Sequence, residues 1–295
     1  MRFASLVIDR RPAPVVIADD LQRFVEVRHL LPGFDGDMID LIAQVPLPDQ
    51  QFAAAVQRTD RWQAVGTHEL LAPLEVRRNI FCVGKNYHEH AREFSQSGFD
   101  TSAQQGELAP PAPVVFTKPA STVVAHRATV KAFEHLTSQL DYEVELAVVI
   151  GKPGRGISKA DALQHVWGYT IVNDFTARDL QQKHRQWFIG KSLDTFCPMG
   201  PYLVSAHGID SANLNVRCWI NDELRQNANT KDLIFDIPTI IETLSAGMTL
   251  LPGDVIATGT PAGVGIGFKP PRFVKKGDVM KLEIDHLGSL VNTIG

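Results

Sequence analysis

The sequence predicts a mixed-β (α+β) protein: a rolled or barrel-like sheet with short flanking helices, preceded by a small N-terminal α/β unit. Three observations predict it. Strand-like runs far outnumber helical ones after residue 110. Strand and helix do not alternate there, as a doubly wound α/β sheet would require. The first seventy residues look different from the rest, with short apolar runs broken by Pro, Asp and Gly.

In that first unit FASLVI, PVVIA and RFVEV read as strands, and MIDLIAQV and QFAAAV as helices. The segment LLAPLEVRRN at 70–79 reads as a join, which places a small domain at 1–72 and a larger one at 73–295. NIFCVG is a buried-strand run ending at a glycine, and NYHEHAREF reads as a helical turn or two. The stretch SQSGFDTSAQQGELAPP, rich in Ser, Gln, Gly and Pro, is either a lid or binding loop or a surface insertion. Strand candidates come next: PVVFTK, TVVAH, DYEVELAVVIG, VWGYTIVND, PYLVS, LNVRCWIND, DVIATG and DVMKLEID. Two helices interrupt them. SKADALQHV carries a Ser158/Asp161 spacing like a capping box, and DIPTIIETLSA starts at Asp236 with a proline in its first turn.

Composition excludes several roles. The net charge is −4, and no basic block of five or more occurs, which argues against nucleic acid as a partner. The longest apolar runs are far too short to span a bilayer, and MRFASLVIDRRPAP is wrong for a secretory signal. The odd trio Cys82, Cys197 and Cys218 reads as small hydrophobes in a reducing cytoplasm.

The chemistry concentrates in DYEVELAVVI. In a strand, Tyr142, Val144, Leu146, Val148 and Ile150 share one face, while Glu143 and Glu145 share the other, roughly 7 Å apart between Cα atoms. Two such carboxylates repel unless a cation lies between them, or unless the strand is an ordinary solvated one. Ala147 and Val149 follow on the same face, so that face is not uniformly wet. Asp174, at the end of the strand VWGYTIV, either projects into a cleft or caps a helix beginning FTARDLQ. Three carboxylates with no His or Cys would make an all-oxygen site, suited to Mg²⁺, Mn²⁺ or Ca²⁺ and not to zinc.

Taken together and in order, VGKNYHEHAREF, FTKP, DYEVELAVVIG, VNDFTARDLQ, GKSLDTFCPMGP, PGDVIATGTPAGVG and KKGDVMKLEI resemble the fumarylacetoacetate hydrolase family, from about Ile80 to the C-terminus. The resemblance implies a β-roll-like mixed sheet, usually in a homodimer, with a metal held by Glu143, Glu145 and Asp174. It implies small oxo-acid substrates. Arg178 and Gln181 match positions contacting substrate or a developing oxyanion, and Lys191 matches the family's active-site lysine. Thr260 matches a loop near the substrate carboxylate, and Lys118 and Tyr87 would line the site.

HEHARE is not the zinc motif HExxH. His90 and Glu93, however, lie i, i+3, so a helix sets them on one face, where the carboxylate orients the imidazole as a base. Hydrolytic members resemble this arrangement, with the pair on a lid. His88 and Glu89 read as solvated neighbours. Phe94, Phe99 and Trp187 would wall the site or simply belong to the core. The expected reaction is hydrolysis of a C–C bond in an acylpyruvate-like β-diketo acid, with His90 activating water and Lys191 stabilising the departing enolate. The alternatives are decarboxylation of oxaloacetate or another β-keto acid, isomerisation of an oxo-diacid, and non-catalytic binding of an oxo-acid.

Overall fold

The computed structural model describes residues 1–45, 50–98 and 110–295. The chain opens on an antiparallel meander of β1 (Arg2–Ile8), β2 (Arg11–Ile17) and β3 (Arg23–Glu26), followed by helices α1 (Val27–Leu30), α2 (Met38–Gln44) and α3 (Gln50–Arg58) and the short β4 (Gln63–Ala64). Next come β5 (Ile80–Gly84), α4 (His88–Gln96), β6 (Val114–Lys118) and the short β7 (Val123–Val124), β8 (Thr129–Val130) and β9 (Leu140–Asp141). They lead into the long β10 (Val144–Ile150) and β11 (Val166–Asn173), then β12 (Thr176–Ala177), α5 (Arg178–His184), α6 (Phe188–Lys191) and β13 (Cys197–Ser205). The chain finishes with β14 (Asn215–Ile220), β15 (Glu223–Asn229), α7 (Ile237–Ser245), β16 (Val255–Ala257), β17 (Val279–Ile284) and β18 (Gly288–Ile294).

These strands form a large mixed sheet in the order β4-β3-β2-β1-β13-β11-β10-β16-β5-β6, a five-stranded sheet β15-β14-β17-β18-β8, and the small pair β12-β9. The mixed-β expectation is met: sheet dominates and the helices are short. The meander is not set apart, because β1 pairs antiparallel with β13.

Alternation in the sequence builds the core. Val144, Leu146, Val148 and Ile150 pack with Val216, Cys218 and Ile220 of β14 and Met280, Leu282 and Ile284 of β17, filling the space between the two sheets. Ala147 and Val149, on the opposite face of β10, pack with Phe3, Val25, Ile42 and Trp167 in a second cluster. A strand buried on both faces reads as a near-continuous apolar run, which is what ELAVVI is. The three cysteines are buried, as small hydrophobes are. Among the described residues no helix is long and apolar enough to cross a membrane.

Two expectations need correction, and one of the two readings of Asp174 falls away. SKADALQHV forms only a 3₁₀ turn at Ala162–His165, with Ser158 and Asp161 exchanging bonds ahead of it. TVVAH contributes only two paired residues. Asp174 is not a helix cap: Thr176 and Ala177 first pair with Asp141 and Leu140, so α5 starts four residues later, with Ala177 as its cap. The α2 and α7 starts follow their sequence signals, with side-chain caps from Asp37 and Asp236. Most of the Ser/Gln/Gly-rich stretch, with Phe99, lies outside the described residues.

Candidate active site

Glu143, Glu145 and Asp174 come together because β10 and β11 are neighbours. Val144 pairs with Asn173, and the backbone of Asp174 donates to the Glu143 carbonyl at 2.9 Å. Glu143 stands just before β10 and Glu145 within it, so the period-two spacing aims both at one side. The three carboxylates offer oxygens within 4.8 Å of one another, and all three residues are buried.

Cations surround this cluster unevenly. Lys191, in the last turn of α6, reaches Glu143 Oε2 at 2.7 Å and Asp174 Oδ2 at 2.6 Å. Arg178, at the start of α5, donates to Glu143 Oε1 at 2.5 Å and to Gln181 Oε1 at 3.1 Å. Lys118 Nζ lies 2.8 Å from Asp174 Oδ1, off hydrogen-bonding geometry, and donates instead to the Phe175 carbonyl at 3.0 Å. Among the described residues Glu145 accepts only the Gly259 N–H, at 2.8 Å. Burial pushes the Glu145 carboxyl well above the usual range, and the charges of Asp174 and Glu143 add to this. Burial works the same way on Glu143, but the positive groups of Lys191 and Arg178 outweigh it and hold that carboxyl below its ordinary value. For Lys191, burial disfavours the ammonium, yet Asp174 and Glu143 outweigh it and raise its pKa.

A hard divalent cation fits this donor set. Asp174 Oδ1 is buried and accepts no hydrogen bond among the described residues, and Glu145 has no lysine or arginine in salt-bridge reach there. All the candidate ligand atoms are carboxylate oxygens. The cavity they line measures about 20 Å³, above the roughly 10–15 Å³ that one water needs.

His90 lines the same cavity. It sits in the first turn of α4, which leaves the end of β5, and its Nδ1 lies 3.3 Å from Glu93 Oε2. His88 and Glu89 are exposed. Gln181, Thr260, Lys85, Phe94, Phe116 and Trp187 complete the polar and aromatic lining. Thr260 accepts a bond from Gln226 Nε2 at 2.8 Å. Phe94 and Trp187 meet edge to face at 6.0 Å, and Trp187 also meets Phe116 at 5.2 Å.

Tyr87 departs from the expectation that it lines the site. It is the extended N-cap of α4, bridging to Leu233, and its buried side chain is not on the cavity wall. It precedes the helix, so helical spacing does not carry it to the face of His90. Lys118 lies beside Asp174 and not on the wall. Sequence reading passed over Asp141, whose Oδ2 accepts from Arg178 Nε at 2.8 Å, although it shares the two-residue period of Glu143 and Glu145. It also passed over Lys85 and Gln226; Lys85 lies inside the segment VGKNYHEHAREF, whereas nothing local marks Gln226.

This fold and carboxylate-lined cavity are those of one enzyme family: the sequence profile described as fumarylacetoacetate (FAA) hydrolase C-terminal matches residues 79–295, and the chain belongs to the fumarylacetoacetate hydrolase family. Oxaloacetate tautomerase YisK of Bacillus subtilis (strain 168) is 46% identical, over 100% of both chains. The solved fumarylacetoacetate hydrolase of psychrophilic Exiguobacterium antarcticum superposes with a TM-score of 0.84 at 39% identity, covering 100% of this chain and 99% of that one. Maleylpyruvate hydrolase from Sphingobium sp. SYK-6, solved in complex with manganese (II) ion and pyruvate, gives a TM-score of 0.76 at 31% identity, covering 100% and 98%.

Proposed function

We propose that this protein interconverts the keto and enol forms of oxaloacetate or a closely similar 2-oxo diacid. The observation that carries the reading is His90 on the wall of the carboxylate cavity, backed by Glu93 at its Nδ1, in a chain alike over its full length to an oxaloacetate tautomerase.

Tautomerisation moves one proton off C3 and one onto the 2-oxo oxygen, so it needs an acid–base group and no water. A divalent cation, Mg²⁺ or Mn²⁺, held by Glu143, Glu145 and Asp174 would polarise the 2-oxo group and acidify C3. Glu93 takes the Nδ1 proton of His90 as a hydrogen bond, which leaves Nε2 as the basic atom for the proton at C3. The Lys191 ammonium donates to developing negative charge on oxygen. Gln181 lines the same cavity, and with its Oε1 taken by Arg178 its Nε2 is the atom that would donate to substrate. Lys85, on the same wall with its Nζ 5.5 Å from the Phe94 ring centre, adds positive charge that favours an anionic substrate.

The alternative reading is C–C hydrolysis of an acylpyruvate, favoured by the likeness to maleylpyruvate hydrolase. In it the same His90 activates water. The test adds enol-rich oxaloacetate to the protein with Mg²⁺ and follows loss of the enol absorbance, with pyruvate release and acylpyruvate loss measured in parallel. Tautomerisation predicts accelerated enol loss without matching pyruvate, reduced about 10²–10⁴-fold by His90→Ala. Acylpyruvate cleavage with enol loss at the spontaneous rate overturns it.

A further inference from the structure

We propose that Asp141 is a positioning residue that fixes the metal-holding carboxylates and the His90–Glu93 pair relative to one another. The kinetic part of the test rests on the tautomerase reading; the structural part does not.

Asp141 is fully buried and uses both carboxylate oxygens twice. Oδ1 accepts from Gly265 N at 2.6 Å and Tyr142 N at 3.0 Å, and Oδ2 accepts from Arg178 Nε at 2.8 Å and Ile266 N at 3.2 Å. A buried carboxylate is tolerated when its lone pairs are met in this way. The four donors belong to two halves of the site. On one side Arg178 passes from Asp141 to Glu143 Oε1 at 2.5 Å and to Gln181 Oε1 at 3.1 Å, so its position sets a carboxylate of the triad and a lining amide.

On the other side lies the loop 263–266. Gly263 N donates to both oxygens of Glu93, at 3.0 and 3.2 Å, and Glu93 in turn faces His90 Nδ1. The Tyr142 hydroxyl donates to the Gly263 carbonyl at 2.8 Å and holds the same residue from its other end. A side chain at Gly265 would press on Asp141 Oδ1 and on the Arg272 carbonyl, so the close approach needs glycine. The polar path therefore runs from Glu143 through Arg178 and Asp141 into the loop, and on to Glu93 and His90. Arg178, matched from sequence to a substrate-contacting position, is here a strut within that path.

Asp141→Asn tests the inference. One amide oxygen still meets backbone N–H, but the amide N–H₂ now faces donors, so one arm is released. The full-length protein is followed by hydrogen exchange and by kinetics. The expected result is exchange about tenfold faster in 260–268 and in 88–96, with β14, β17 and β18 unchanged. For kinetics, kcat falls about tenfold or more with KM within about threefold, and the same substitution has less than about a twofold effect in a Glu93→Gln background. Uniformly faster exchange, or a full tenfold penalty retained with Glu93→Gln, overturns the proposal. If Asp141→Asn does not fold, Gly265→Ala is measured in the same way. Failure of both to fold makes Asp141 a structural ion pair and overturns it too. A protein that turns over no oxo-acid sinks the tautomerase reading alone, and the exchange data still decide on Asp141.

Discussion

The Lys191 ammonium lies 2.6 Å from Asp174 and simultaneously 2.7 Å from Glu143, so a single side chain bridges two carboxylates that adjoining strands deliver. Removing it leaves buried negative charge uncompensated. Lys191→Met is expected to destabilise the cation-free protein by about 3–5 kcal/mol in urea unfolding. Excess Mg²⁺ should recover a large part of that loss, because the cation answers the same repulsion.

Glu145 behaves oppositely. Its charge is disfavoured by burial and by its two acidic neighbours. Glu145→Gln keeps an acceptor for Gly259 N, so the cation-free protein should be as stable as before or more stable by about 1 kcal/mol. Mn²⁺ affinity, measured by titration calorimetry, should fall by about tenfold or more. A loss of stability without loss of Mn²⁺ binding would remove Glu145 from the ligand set.

Gly267 packs directly against the Glu93 carboxyl, where a Cβ would collide with it. Gly267→Ala should displace Glu93 from His90. The expected outcome is a kcat reduced about tenfold or more, with a Tm shift of only a few degrees. An unchanged kcat would show that the pair tolerates misplacement.

A fourth prediction concerns pH and lies outside the site. Burial, with a smaller contribution from Arg127, lowers the His126 pKa to about 4, and neutral Nδ1 accepts the Val291 N–H at 3.0 Å. Between about pH 6.5 and 4 the unfolded chain takes up a proton at this position and the folded chain does not. Stability is therefore whole above pH 6.5 and lost as pH falls toward 4, by about 1–2 kcal/mol after allowance for solvent at this half-buried ring. His126→Gln should flatten that part of the urea-midpoint profile.

Features legible in advance were those set by local period. The alternation of DYEVELAVVI gave one core face of β10 and the side taken by Glu143 and Glu145, and the i, i+3 spacing gave the His90–Glu93 contact; that Ala147 and Val149 face a second core was only hinted at. Partners set by strand order were harder to see. Asp174 looked like a helix cap because nothing local announces that Thr176 pairs with Asp141 first. Gln226 reaches Thr260 from a distant hairpin, and Asp141 joins the start of α5 to a loop far along the chain. The Ser158/Asp161 spacing formed its exchange of bonds without a following α-helix, since only a short turn fits before β11.

The pairing of β1 with β13 has a practical consequence for shortening the chain. The family profile begins at residue 79, yet Phe3 meets Trp167 edge-on at 4.9 Å, and the Trp167 indole donates to the Val45 carbonyl at 2.7 Å. Cutting ahead of Ile80 would unroof that tryptophan and bare one rim of β13. The remaining fragment would expose an unpaired strand edge prone to self-association, because β1 covers that edge of β13.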